Sequence, residues 1–156
     1  VIYFFFKNKE DYYRTCIFLF TGMTIFLIVS TLWPNGQHLR PAVMPRDNIF
    51  TRMVAALYRT DTPTNLWPSI HVYNSLGAHF AIIRSKCFEK KKGIRIGSLI
   101  LASIIMATMF IKQHSVFDVL TAFVMAAVMY TLVYRYDLLI AVREFRNKRK
   151  AKPQIG

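Results

Sequence analysis

The chain has 156 residues, of which 54% are hydrophobic and 19% charged, and 21 Lys plus Arg against 8 Asp plus Glu give a formal net charge of +13. Mean hydropathy is positive, and the apolar residues fall in long blocks instead of the short alternation of a soluble domain, so an ordinary water-soluble globule is excluded in favour of a membrane protein. Two cysteines, Cys16 inside an apolar block and Cys87 in a basic loop, suggest no disulfide framework.

In chain order, "VIYFFF" at residues 1–6 reads as the end of a span whose beginning is missing, because no signal-peptide n-region or cleavage site accompanies it. Residues 12–33 are free of charge from Thr15 to Trp33, the length a helix needs to cross a hydrocarbon core. A loop rich in Pro, Gly and Asn follows. Residues 48–59 then place Ile49, Met53 and Leu57 beside Phe50, Val54 and Tyr58 at helical spacing, which predicts a short helix lying in the membrane surface. Trp33 and Trp67 flank this segment as interfacial anchors. Pro68 suits the first turn of the next helix. Further spans are expected at 69–88, 94–111 and 114–135, followed by a basic tail at 136–156. The fold class is therefore all-α, a polytopic transmembrane helix bundle forming one membrane domain, with four complete spans and the end of a truncated one.

Lys7, Lys9 and Arg14 mark the start of the first complete span, Arg84, Lys86, Lys90, Lys91, Lys92 and Arg95 surround the loop after the second, and seven more cations run from Arg135 to Lys152. By the positive-inside rule these three segments are cytoplasmic. The charge is then a topology signal, and nucleic acid is not an expected partner; contact of the tail with anionic head groups is the less favoured reading of those cations. Residues 33–68 and the turn around Lys112 fall on the opposite, extracytoplasmic side.

Arg40, His71, Lys112, His114 and Asp118 all lie at that face. His114 and Asp118 are four apart, so on a helix they share a side, and the carboxylate can accept the imidazole N–H, fix its tautomer and raise the basicity of the other nitrogen. His71 and Ser69 occupy the first turn of a helix, whose free N–H groups favour an anion. Arg40 and Lys112 add positive charge, Arg40 with a fork suited to two phosphate oxygens. Together they describe a phosphoryl-transfer site that needs no metal or other cofactor. A metal site of His71, His114 and Asp118 is the less favoured alternative, for want of an evident second shell. His38 and His79 read as structural residues.

"LRP" at 39–41, "PSIH" at 68–71 and "KQHSVFDV" at 112–119 resemble the three ordered motifs of the type 2 phosphatidic acid phosphatase superfamily, over residues 33 to about 135. The resemblance implies a six-span core in which "VIYFFF" ends the second span. It implies a lipid phosphate or pyrophosphate phosphatase, integral to a bacterial-type plasma membrane, with lipid phosphate as substrate. His114 would be the nucleophile, Asp118 its orienting carboxylate and His71 the general acid, while Arg40 and Ser69 hold phosphoryl oxygens. The chain departs from the pattern at Trp33, where the family has Lys, and at Ala107 and Thr108, where it has Ser-Arg; Lys112, four residues after Thr108, could carry part of that charge. The alternatives are a lipid head-group phosphotransferase of sphingomyelin-synthase type and a non-catalytic membrane protein that binds lipid phosphates.

Overall fold

The computed structural model describes residues 1–36, 38, 40–41, 44, 46–60, 64, 67–103, 110, 114–138, 140 and 144. The fold is all-α. Its elements are α1 (Ile2–Lys7), α2 (Lys9–Leu32), α3 (Ile49–Thr60), α4 (Ile70–Arg84), a 3-10 turn (Lys86–Phe88), α5 (Lys92–Ser103) and α6 (Val116–Tyr130), which runs into a π turn at Thr131–Arg135.

Among the described residues, two helices are long and apolar enough to cross a membrane, Lys9–Leu32 with 24 residues and Val116–Arg135 with 20. Only 17% and 33% of their apolar windows are buried, whereas the core helix of a water-soluble protein hides most of its apolar surface. Phe20, Leu27, Leu32, Leu120 and Val124 instead face outward. α2 starts at Lys9, before the expected 12, because the side-chain Oδ1 of the Asn8 cap accepts from the N–H groups of Glu10 at 3.0 Å and Asp11 at 3.3 Å. Those two acids also sit at the positive end of the helix dipole. Pro34 follows the last turn, where proline disfavours further helix. α4 has 15 residues and α5 is described over 12. The expected stretch 69–88 is broken at Ser85, whose hydroxyl caps the 3-10 turn by accepting from Cys87 N–H at 3.1 Å. The far end of the 94–111 stretch and most of the tail lie outside the described residues.

α4 packs against α2, α5 and α6. Phe18 of α2 stacks on Tyr73 of α4 at 4.7 Å, and the Tyr73 hydroxyl donates to the Phe18 carbonyl at 2.8 Å. Glycine permits this approach from both sides: a Cβ on Gly22 would strike the Tyr73 ring, and one on Gly77 would lie 2.7 Å from the Phe18 ring. On α6, Ala122 and Ala126 are 0% and 1% exposed, small side chains that let helix backbones close up.

α4 and α6 run parallel. At one end the Ser69 N–H donates to the Asp118 carbonyl at 3.3 Å; at the other, Phe80 and Arg84 lie over the Tyr130 ring at 4.8 and 5.2 Å. Two helix N-termini therefore stand side by side, and this pairing positions the site. The opposite end is tied differently, by Arg14 to Asp137 at 2.7 Å and by the Ser85 hydroxyl donating to Asp11 at 2.6 Å.

Candidate functional site

Ser69 is the N-cap of α4, in extended conformation, with its oxygen accepting from Val72 N–H at 3.5 Å. It is fully buried. Pro68 accordingly precedes the cap, one position outside the helix where the first-turn reading put it. His71 is the second residue of α4 and is exposed, while its neighbours Val72 and Tyr73 are 0% exposed and anchor the turn in the core.

The second imidazole reaches the same place from 43 residues further along the chain. The His71 and His114 rings are 5.8 Å apart between centroids and inclined at 60°. His114 is 6% exposed and Asp118 is 3% exposed.

The route by which His114 meets Asp118 differs from the helical one expected. The helix starts at Val116, and His114 lies outside it, ahead of the Ser115 cap. A capping box explains why: Ser115 Oγ accepts from Asp118 N–H at 3.2 Å while Asp118 Oδ2 accepts from Ser115 N–H at 2.9 Å. The same oxygen is 3.7 Å from His114 Nδ1, within electrostatic reach and longer than a hydrogen bond. Asp118 thus ends the loop, starts the helix and faces the imidazole. The Ser-x-x-Asp spacing that produces this box was readable in "SVFD".

The contacts described for Arg40 run to α3. Its guanidinium donates to the Tyr58 carbonyl at 3.2 Å and lies over the Tyr58 ring at 4.8 Å. Lys112, Ala107 and Thr108 lie outside the described residues. Among the described residues, no three His, Cys, Asp or Glu side chains are grouped as a metal site requires.

Asn35 and Phe117 belong to the site and carried no signal in the sequence. The Asn35 amide brackets the backbone of Trp67, accepting from its N–H at 3.0 Å and donating to its carbonyl at 3.3 Å. A bridge between Gly36 and Thr64 lies beside it. Together they hold the loop after α2 against the approach to α4. Trp67, expected as an interfacial anchor, is half-buried and stacks on Phe117 at 5.9 Å and 18°. Trp33, Asn35, Gly36, Trp67, Phe117 and Asp118 line a cleft of about 420 Å³. His79, by contrast, hydrogen bonds through Nδ1 to Ser98 Oγ at 2.9 Å, and Ser98 in turn donates to the Arg95 carbonyl at 2.8 Å. With its proton spent there, Ser98 accepts, and His79 is the Nδ1–H tautomer, satisfied between α4 and α5.

The arrangement offers two imidazoles, one backed by a carboxylate, at the adjoining positive ends of two parallel helices. That combination suits an anion that undergoes nucleophilic displacement. Compared with family models, curated proteins and solved structures, the chain matches none.

Proposed function

We propose that this chain is a polytopic integral-membrane lipid phosphate or pyrophosphate phosphatase, working through a phosphohistidine and without a metal ion, at the extracytoplasmic face. α2, α4, α5 and α6 belong to four spans of a six-span core of the type 2 phosphatidic acid phosphatase kind. The observation that carries the reading is the meeting of His71 and His114, 5.8 Å apart, where the N-termini of two parallel helices adjoin.

His114 presents Nδ1 to Asp118, which leaves Nε2 as the nucleophile. Attack by Nε2 on phosphorus forms the P–N bond as the P–O bond to the lipid alcohol or phosphate breaks. Asp118 balances the positive charge that develops on the His114 ring, and protonated His71 gives its proton to the leaving oxygen. Water then attacks phosphorus, His71 takes its proton, and the P–N bond breaks to release inorganic phosphate and restore His114. The helix N-termini stabilise the phosphoryl oxygens throughout. Ser69 can donate its hydroxyl proton while it accepts from Val72 N–H. Arg40 and Lys112 supply cations; for Arg40 this means sharing its guanidinium between the phosphate and Tyr58.

The test is phosphate release from phosphatidic acid and a polyprenyl pyrophosphate by the purified protein in detergent with EDTA present. Release should continue under EDTA and fall by roughly 10³-fold or more in His114→Ala, with a ³²P label trapped on the wild-type protein alone. Release that stops with EDTA or survives loss of His114 overturns the proposal. Turnover only when an alcohol-bearing lipid is supplied would replace hydrolysis with head-group transfer.

A further inference from the structure

The two tryptophans of the chain differ in what surrounds their indole N–H. Trp33 is 74% exposed, as suits a ring anchored at a lipid–water interface. Trp67 is half-buried, and its indole nitrogen is closed off from solvent with no acceptor among the described residues. A buried Trp N–H normally finds a partner, and one that lacks it works against stability.

Looseness does not explain the orphan. Asn35 fixes the Trp67 backbone through both its N–H, at 3.0 Å, and its carbonyl, at 3.3 Å, and the ring stacks on Phe117 at 5.9 Å and 18°. Two residues on, the Ser69 N–H is bonded to the Asp118 carbonyl at 3.3 Å. A donor held this firmly is fixed before a ligand arrives, the condition under which a hydrogen bond contributes most to binding and to catalysis.

The chemistry of the cleft wall narrows the choice of acceptor. Trp67 shares that wall with Asp118, and its described lining holds one carboxylate and no cation. An anion there depends on neutral donors. The Asn35 amide already donates to the Trp33 and Trp67 carbonyls at 3.3 Å each, which leaves the indole N–H, a group that donates and never accepts. We propose that Trp67 is a phosphate-binding residue, its Nε1–H donating to a non-reacting phosphoryl oxygen of the lipid phosphate at the histidine pair. The inference rests on the phosphatase reading and adds a donor to its site. A neutral donor also suits this position, because a lysine or arginine in its place would pair with Asp118, whose Oδ2 stands 3.7 Å from His114 Nδ1; the indole holds an oxyanion and leaves the carboxylate to the imidazole.

Trp67→Phe is the test, since it keeps a ring to stack on Phe117 and removes only the N–H. In the full chain in detergent, the variant should melt at or above the wild-type temperature. Its affinity for inorganic phosphate and for a short-chain phosphatidic acid should fall roughly ten- to a hundredfold, the usual worth of a hydrogen bond to a charged group. With ¹⁵N-labelled tryptophan, the wild-type indole signal that Trp67→Phe removes should shift on adding either phosphate compound and stay put with the matching diacylglycerol. A signal that ignores phosphate, that moves equally with diacylglycerol, or a variant that binds phosphate as tightly as wild type overturns the inference. A lower melting temperature in Trp67→Phe also overturns it, because the N–H would then be holding the fold. A phosphate-dependent shift without phosphate release would sink the phosphatase reading and leave the donor standing; release that Trp67→Phe leaves untouched would do the reverse.

Discussion

The two ends of the α4–α6 pair treat their ionisable groups in opposite ways. At the clamp end, Arg14 Nη2 and Asp137 Oδ2 are 2.7 Å apart with side chains 23% and 28% exposed, and Asp11 takes a 2.6 Å bond from Ser85. There the charges close on one another and tie the start of α2 to the segments that follow α4 and α6. At the histidine end, the carboxylate spends its short bond on the Ser115 backbone and stands 3.7 Å from the imidazole, while His71 is left exposed. Short mutual bonds hold helices together. Longer separations beside two helix N-termini are what the proposed phosphoryl-transfer reading requires, since catalytic contacts tighten only when substrate is bound.

The sharpest way to break this comparison is to remove His71. Its ring is exposed and belongs to no core cluster, so His71→Ala should leave the melting temperature in detergent nearly unchanged and lower phosphate release by roughly 10²–10⁴-fold, the usual contribution of a general acid. Asp118→Asn, which keeps an acceptor for the Ser115 cap, should lose activity in the same direction. A melting temperature that collapses with His71→Ala would show that the two ends differ less than their distances say.

Arg14→Ala is the mirror experiment, with the intermediate effect. Removing one partner of a half-buried charged hydrogen bond should cost about 1–3 kcal/mol of stability, seen as a lower melting temperature, while phosphate release per folded molecule stays within about twofold. If activity falls with stability intact, the clamp reaches the site and the division between the ends fails.

How much of this was legible in sequence follows the range of each interaction. α2 and α6 were legible as apolar runs, and α3 as a helical repeat of apolar residues, since each pattern is local. The breaks were less so: α4 stops at Arg84 because Ser85 caps the turn after it, a choice that hydropathy does not record. The histidines were recognisable as chemistry, but their meeting depends on the Ser69–Asp118 backbone bond and the core beneath it. For Asp118, the i,i+4 spacing led to the right neighbour through the wrong geometry, because the serine between them claimed the helix start. Arg14 and Asp137 are 123 residues apart, and Asn35 meets Trp67 across 32; no local pattern encodes either.

The smallest effect is expected where the distances are as short as in the clamp but the surroundings are wet. Asp47 and Arg52 make two bonds, 2.7 Å from Nε to Oδ1 and 2.8 Å from Nη2 to Oδ2, yet both side chains are 73% exposed. The Arg52 guanidinium holds the Asp47 carboxyl below its usual range. A carboxyl whose folded pKa is depressed contributes stability above its unfolded value, about 3.9, and loses that contribution as pH falls through the folded value. Solvent screening keeps the contribution small, and α3 has a separate start signal in the reciprocal Asn48–Thr51 bonds at 2.9 Å. Asp47→Asn should therefore lower amide-exchange protection in α3 slightly at pH 7, and wild type and variant should coincide near pH 2. A large loss at neutral pH would mean that bond length alone, rather than length together with burial, decides which ion pairs hold this molecule together.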